Sequence, residues 1–360
     1  MGQFSKIQWT DHTANFWWGC YKVGAGCANC YAEAAARRWG RDVWGPDRPR
    51  LFINSAWADV ARWNAAAAAA GRRDRVFVSS MADFFETDAP VINGDGAPLY
   101  FVHDPTRPSV FPTKNVLTLR ALRRAAFRLI DQCTSLDFLL LTKRPDGIRR
   151  AWLEAGDGEP QVRAHHKVGT IARSNVWLGV SASRQAEVNR LLPELSQCRD
   201  LAAGLFVSLE PLLEPVELSN GRDNRYGLPT RNEPWFVPVD WAIVGGESGP
   251  DARPCDVNWI RSVQHQGREY GFPVFVKQLG ARPVGWPEQL VDPKGGDAEE
   301  WADAFGGDAA REFPTGLNPD PVDPTANGHA FAPFTTRDGS LACRRCRAAE
   351  AAHVAKPADA

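Results

Sequence analysis

Three cysteines, Cys20, Cys27 and Cys30, fall within the short stretch Gly19 to Tyr31, G-C-Y-K-V-G-A-G-C-A-N-C-Y. Gly19, Gly24 and Gly26 make this loop pliable, because glycine adopts backbone angles that other residues avoid. Thiols at this spacing are ligands for a metal or an iron–sulfur cluster. Their number matters: a closed structural zinc site needs four protein ligands, whereas three leave one metal position for an outside molecule. An iron–sulfur cluster held by three cysteines would have one open iron. The competing reading is two core cysteines and an accidental third, but buried free cysteine usually comes singly. His12 is the nearby residue that would complete a fourth position, and it precedes an aromatic segment that reads as core.

A second set of chemical groups sits at the ends of apolar runs. Ser79-Ser80 with Asp83, Thr142-Lys143, Ser181, Ser208 with Glu210, Glu247-Ser248 and Lys277-Gln278 each follow such a run. Lys143, Glu210 and Lys277 are the candidate catalytic residues. Any one of these could be a salt bridge at the barrel mouth, since ion-pair networks also occur without catalysis.

The elements that must position these groups are short strands alternating with helix-compatible segments. The strands are read as Arg75–Ser80, Asp137–Lys143, Val176–Ser181, Gly204–Glu210, Trp241–Glu247 and Pro273–Gln278. They are continuous apolar runs rather than alternating ones, as expected of parallel strands buried on both faces. Helices are expected around Ala56–Ala70, Leu117–Gln132, Arg184–Leu192 and Asn258–Tyr270, and another directly after Cys30, whose thiol would then sit at a helix start that favours a thiolate. With a short strand or packed arm in Ile7–Trp18, the pattern predicts an α/β fold: a parallel β/α barrel, TIM-like, complete or partly open. The C-terminal strand ends of such a barrel share one rim, where its chemistry is placed. Thr87–Pro112 and Leu218–Pro238 interrupt the pattern and read as surface loops or lids.

The barrel is expected over residues 1–281, followed by a loosely packed Pro/Gly/Asp-rich extension or linker over 282–328 and a zinc-binding tail over 329–360. In that tail His329, Cys343, Cys346 and His353 supply the four ligands of a closed tetrahedral site, and Asp338-Gly339 signals a hairpin turn. Metal would stabilise a segment too short for a core of its own. A disordered tail with coincidental ligands is the alternative. Cys133, Cys198 and Cys255 read as core thiols.

The charge balance, 42 basic against 43 acidic residues, gives no reason to expect a polyanion partner from global charge, though a local patch is compatible with it. No apolar run approaches the roughly 18 residues of a membrane span, and the N-terminus lacks the plan of a secretion signal, so a cytoplasmic protein with reduced thiols is expected.

The chain resembles the radical S-adenosylmethionine superfamily and, more narrowly, a phage and bacterial three-cysteine family of unassigned activity. The narrower likeness rests on I-Q-W-T-D, G-C-Y-K-V-G-A-G-C-A-N-C-Y-A-E, S-M-A-D-F-F, L-L-T-K-R-P, W-L-G-V-S, S-L-E-P-L, V-G-G-E-S-G-P-x-A-R-P and F-V-K-Q-L-G, which together span Ile7 to Gly280. It implies a [4Fe–4S] cluster on Cys20, Cys27 and Cys30, with S-adenosylmethionine on the open iron and reductive cleavage giving methionine and a 5′-deoxyadenosyl radical. It also implies that Gly245, Gly246 and Glu247 hold the cofactor's amine, with Ser181, Glu210 or Lys143 assisting. An electron donor such as a flavodoxin or ferredoxin follows from the same likeness. Three departures stand in the sequence: six residues separate the first two cysteines where the superfamily has three, Asn29 stands before the last cysteine in place of the usual aromatic with Tyr31 following instead, and Gly-Gly-Glu ends a late strand instead of an early one.

Two functions follow as expectations. One is an enzyme generating a radical to act on an unidentified substrate, a nucleotide or nucleic acid among the options. The other is a non-catalytic, metal-stabilised nucleic-acid-binding protein that uses its arginines and fourteen tryptophans for phosphate contacts and base stacking.

Overall fold

Runs of Val, Ile, Leu and Phe broken by glycine and polar residues fold as strands covered on both faces. The computed structural model describes residues 5–100, 116–155, 172–219, 239–287 and 289–317, together with the backbone of 333–335 and 341–343. Seven strands form its main sheet: β1 (His12–Ala14), β2 (Asp74–Val78), β3 (Leu136–Thr142), β4 (Arg173–Ser181), β5 (Ala202–Leu209), β6 (Trp241–Gly245) and β7 (Val274–Gln278). Their order in space is their order in the chain, and every neighbouring pair is parallel. The sheet curls into a half-barrel, the partly open form of the expected architecture.

Six α-helices accompany it: α1 (Tyr31–Arg38), α2 (Ser55–Ala69), α3 (Leu119–Gln132), α4 (Ile148–Ala155), α5 (Gln185–Ser196) and α6 (Val257–Tyr270). The sequence pattern misses α4, whose eight residues are too few to establish a helical period. Val76, Phe138, Leu140, Val207 and Val244 point outward and pack under the helices.

The opposite, concave face is filled by rings. Trp9, Phe77, Trp177, Phe206, Trp241 and Phe275 form a separate buried cluster, and burying each ring contributes roughly 1.5–3 kcal/mol. Trp9 from the N-terminal arm lies 4.7 Å from Phe77 and meets Trp241 edge-on at 6.3 Å. Two glycines make room for this floor. A Cβ at Gly179 would fall 2.4 Å from the Phe206 ring, and one at Gly204 would fall 2.4 Å from Trp177.

His12 is held in the core. It is buried on the far side of β1, stacked on Trp63 at 4.4 Å, with Nε2 3.1 Å from Asp74. Cys133, Cys198 and Cys255 are buried, as expected of core thiols.

A small three-stranded sheet joins Trp17–Trp18, Arg50–Phe52 and Val91–Ile92, the last contributed by the segment expected as a lid. Beneath it Arg50 and Glu86, 1% and 0% exposed, form a two-armed pair at 2.9 and 2.8 Å.

The expectation of a loose extension after residue 281 requires correction over its described part. Trp301, Phe305, Ala310 and Leu317 are buried against the sheet. Arg311 donates to the carbonyls of Val276, Lys277 and Gly296, which closes the free edge of β7. Composition misled here because a few spaced aromatic anchors, not a continuous apolar run, hold the segment down.

In the tail, Pro333–Thr335 pairs antiparallel with Leu341–Cys343, while Asp338-Gly339, where a turn is expected, lies outside the described residues. His329, Cys346, His353 and the Cys343 side chain lie outside the described residues. No helix among the described residues is long and apolar enough to cross a membrane.

Candidate functional site

Because all seven strands run the same way, their C-terminal ends share one edge, and a cavity of about 1170 Å³ lies there. Asn15, Ser79, Lys143, Ser181, Glu210 and Lys277 reach its wall from successive strand ends. Trp9 and Phe77, from the ring-filled floor, also border it.

Cys20, Cys27 and Cys30 line the same cavity, each half-buried. Local structure explains their placement. Ala25–Cys27 forms one turn of 3-10 helix, and Cys30 is the residue that caps α1. Glu187 of α5 accepts from Ala25 N (3.0 Å) with one oxygen and from Ser183 N (2.6 Å) with the other. Arg253 Nη1 donates to Ala25 O at 2.9 Å. The seat is tight, since a Cβ at Gly26 would lie 2.3 Å from Ser183 Oγ.

Around Cys20 a polar chain connects loop to sheet. Asp83 accepts from Thr142 Oγ1 (2.6 Å), Lys143 N (3.0 Å) and Arg144 Nη1 (2.7 Å). That same Arg144 nitrogen stands 3.6 Å from Cys20 Sγ, and its guanidinium lies over the Tyr21 ring at 4.2 Å. Burial pushes the Cys20 thiol up to about 12, with Asp83 and Glu86 adding to the rise and Arg144 opposing it. Ligation there therefore displaces a proton.

Across the cavity, Lys143 Nζ donates to Ser181 Oγ at 2.6 Å. Glu210 faces Lys277 Nζ at 2.8 Å through one oxygen and accepts from Ser208 Oγ at 3.1 Å through the other. Ser79, at the end of β2, has φ of 70°, the left-handed region that a serine enters at a cost of about 1–3 kcal/mol. Its Oγ is buried without a hydrogen-bond partner. Strain and an orphaned hydroxyl at one strand end mark a position held for a purpose other than stability.

Gly245, Gly246 and Glu247, expected to hold a cofactor amine, are not among the residues that border the cavity. A Cβ at Gly246 would sit 2.3 Å from Leu279 O, so this glycine serves close packing of β6 on the chain after β7. Both oxygens of Glu247 are engaged by Arg253, through Nη2 at 2.6 Å, Nε at 2.8 Å and the backbone N at 2.9 Å. Asn29 Nδ2 adds a contact at 3.2 Å from the cysteine loop. Glu247 is thus a tether for that loop. The sequence reading also overlooked Arg144, Glu187 and Arg253. Two of these were visible as neighbours of strand ends, in L-L-T-K-R-P and A-R-P.

Among the described residues, no group of three or more His, Cys, Asp or Glu converges closely enough to hold a single metal ion. A cubane cluster makes a different demand, because each thiolate binds its own iron and the ligands stand further apart than those of one ion. Among the described residues, three half-buried thiols border the cavity with no fourth cysteine beside them, the number of protein donors such a cluster would take if one iron were left open.

Fold and site together define a parallel half-barrel protein with a thiol-lined cavity at its C-terminal edge. The chain belongs to the family described as protein of unknown function DUF5131, whose model matches residues 4–94 and 114–314. No curated protein and no solved structure matches it.

Proposed function

We propose that this protein is an iron–sulfur, S-adenosylmethionine-dependent radical enzyme. One juxtaposition supports the reading: three cysteines and a Lys/Ser/Glu set from separate strand ends border one cavity. Cys20, Cys27 and Cys30 would each hold one iron of a [4Fe–4S] cluster. With the cofactor bound, that cluster would supply one-electron radical chemistry, its electron coming from a donor such as a flavodoxin or ferredoxin. Glu210 takes the place expected of Glu247: its carboxylate, held by Lys277 and Ser208, presents negative charge to an ammonium group. Lys143 and Ser181 present a cation and a hydroxyl to a carboxylate. A Zn²⁺ on His329, Cys343, Cys346 and His353 is proposed for the tail, and Cys343→Ser should release it without changing iron.

The test is anaerobic reconstitution of the full chain followed by reduction with S-adenosylmethionine present. About four irons per chain, a brown chromophore and release of 5′-deoxyadenosine are expected, and Cys20→Ala, Cys27→Ala or Cys30→Ala should each abolish the release. Iron that binds without any deoxyadenosine forming would overturn the catalytic reading.

A further inference from the structure

The cavity is larger and more basic than the cofactor contacts require. Six basic side chains border it, Lys6, Lys22, Lys143, Arg144, Lys277 and Lys294, against Asp83, Glu210 and Asp292. The chain as a whole carries a formal charge of −1, so the excess is local. Each carboxylate has a cation beside it, Asp83 with Arg144, Glu210 with Lys277 and Asp292 with Lys294, and Asp292 also accepts from the backbone N–H groups of Lys294, Gly296 and Asp297. Lys22 is also spoken for, 3.0 Å from Glu33. Neither Lys6 nor Lys294 is in a salt bridge among the described residues, although Lys294 helps hold the Asp292 carboxyl below its ordinary range. Gln8 Nε2 donates to Gly296 O at 3.3 Å, which ties the N-terminal arm to the 292–296 turn, and both lysines border the cavity.

The cysteine-loop side is aromatic. Tyr31 and Trp39 are 60% and 52% exposed, and both border the cavity. Trp39 stacks on Trp18 at 5.0 Å, and the Tyr31 hydroxyl is fixed to Ser80 O at 2.7 Å, so the two rings are held in place at the rim. Scattered exposed apolar residues are ordinary; two anchored rings bordering a cavity that also carries lysines outside any salt bridge are not. Flat rings take nucleobases by stacking, and free ammonium groups take phosphate.

We propose that the substrate entering this cavity is a nucleotide unit, its base on the Trp39 and Tyr31 rings and its phosphate on Lys6 and Lys294. The proposal rests on the radical-enzyme reading only for what happens to the nucleotide after it binds.

The test is fluorescence anisotropy of a labelled single-stranded oligonucleotide with the full chain, with a mononucleotide and a base-free polyphosphate as competitors. Binding that falls steeply with salt is expected, and Lys6→Gln with Lys294→Gln should lower the logarithmic salt slope by about 1–2. Trp39→Ala should weaken the oligonucleotide about tenfold while leaving polyphosphate competition unchanged; Tyr31→Leu is a second, independent probe of the same rim. Displacement by the mononucleotide at similar affinity assigns a free nucleotide, and its failure assigns a strand. Absence of binding at low salt, or polyphosphate competing as well as the oligonucleotide with Trp39→Ala and Tyr31→Leu silent, would overturn the proposal. Binding requires no turnover: nucleotide binding without deoxyadenosine release rejects the radical reading, and release without nucleotide binding rejects this one.

Discussion

Glu210 and Glu247 follow neighbouring strands on the same edge of the sheet, yet they are held in opposite ways. Glu210 faces the cavity, with a lysine on one oxygen and a serine hydroxyl on the other. Glu247 is gripped by the fork and the backbone N–H of Arg253 and by Asn29. Lysine is a mobile point charge that can give up its partner, whereas the planar arginine fork fixes a carboxylate in one orientation. Side-chain type alone therefore does not distinguish a binding carboxylate from a structural one. The geometry of its partner does.

The sharpest way to break this comparison is Glu210→Gln. The change keeps shape and removes the charge offered to an ammonium group. A charge-assisted hydrogen bond is worth about 1.5–3 kcal/mol, so cofactor affinity should fall roughly tenfold to a hundredfold, read by titrating deoxyadenosine release. Iron content and melting temperature should not move.

Glu247→Ala should do the reverse. Removing it leaves Arg253, itself 28% exposed, without its carboxylate and frees Asn29, a loss of about 1–3 kcal/mol. Each kcal/mol lowers the melting temperature by about 1–2 °C in a chain of this size. Iron retention after gel filtration should drop as the cysteine loop loosens. Unchanged iron with weakened cofactor binding would restore Glu247 to the role its Gly-Gly-Glu setting implied.

That reversal shows what the sequence could and could not convey. Six of the seven strands and their shared rim were legible because apolar runs of strand length, each capped by a polar residue, recur along the chain, whereas His12–Ala14 is too short and polar to be more than an arm or a short strand. The thiol loop was legible because its ligands are adjacent in sequence. What was not legible depends on partners far apart in the chain: Arg253 reaches Ala25, Arg144 reaches Cys20, and Arg311 closes the edge at Val276. The interlock of Gly179 with Phe206 is equally silent, since it depends on which strand lies beside which. The buried Trp301 hid in a segment whose composition is that of a linker.

Arg253→Lys tests the fork alone. The charge stays, but a lysine cannot grip both carboxylate oxygens and the Ala25 carbonyl together. A loss of about 1 kcal/mol is expected, roughly half that of Glu247→Ala, with a matching partial loss of iron. An equal effect for both variants would mean that Asn29 and the backbone N–H contribute nothing to the tether.

The smallest effect is a pH dependence, and its sign follows from how Glu247 is held. Burial works to raise its carboxyl, but the Arg253 side-chain and backbone contacts outweigh this and hold it below the ordinary value of 4.5. A carboxylate held low in the folded state stabilises the fold fully above its unfolded value and loses that contribution as pH falls through its folded one. The metal-free protein should therefore lose melting temperature as pH drops below about 4.5, and Glu247→Gln should lack this step. Asp11 and Asp292 are also held low, by Arg75 and by backbone N–H groups respectively, but from an ordinary value of 3.8. Their losses begin at more acid pH. The difference between wild type and Glu247→Gln should accordingly open first, and a difference curve that is flat from neutral pH down to 3.8 would show that the arginine fork adds nothing to the stability of the cysteine loop.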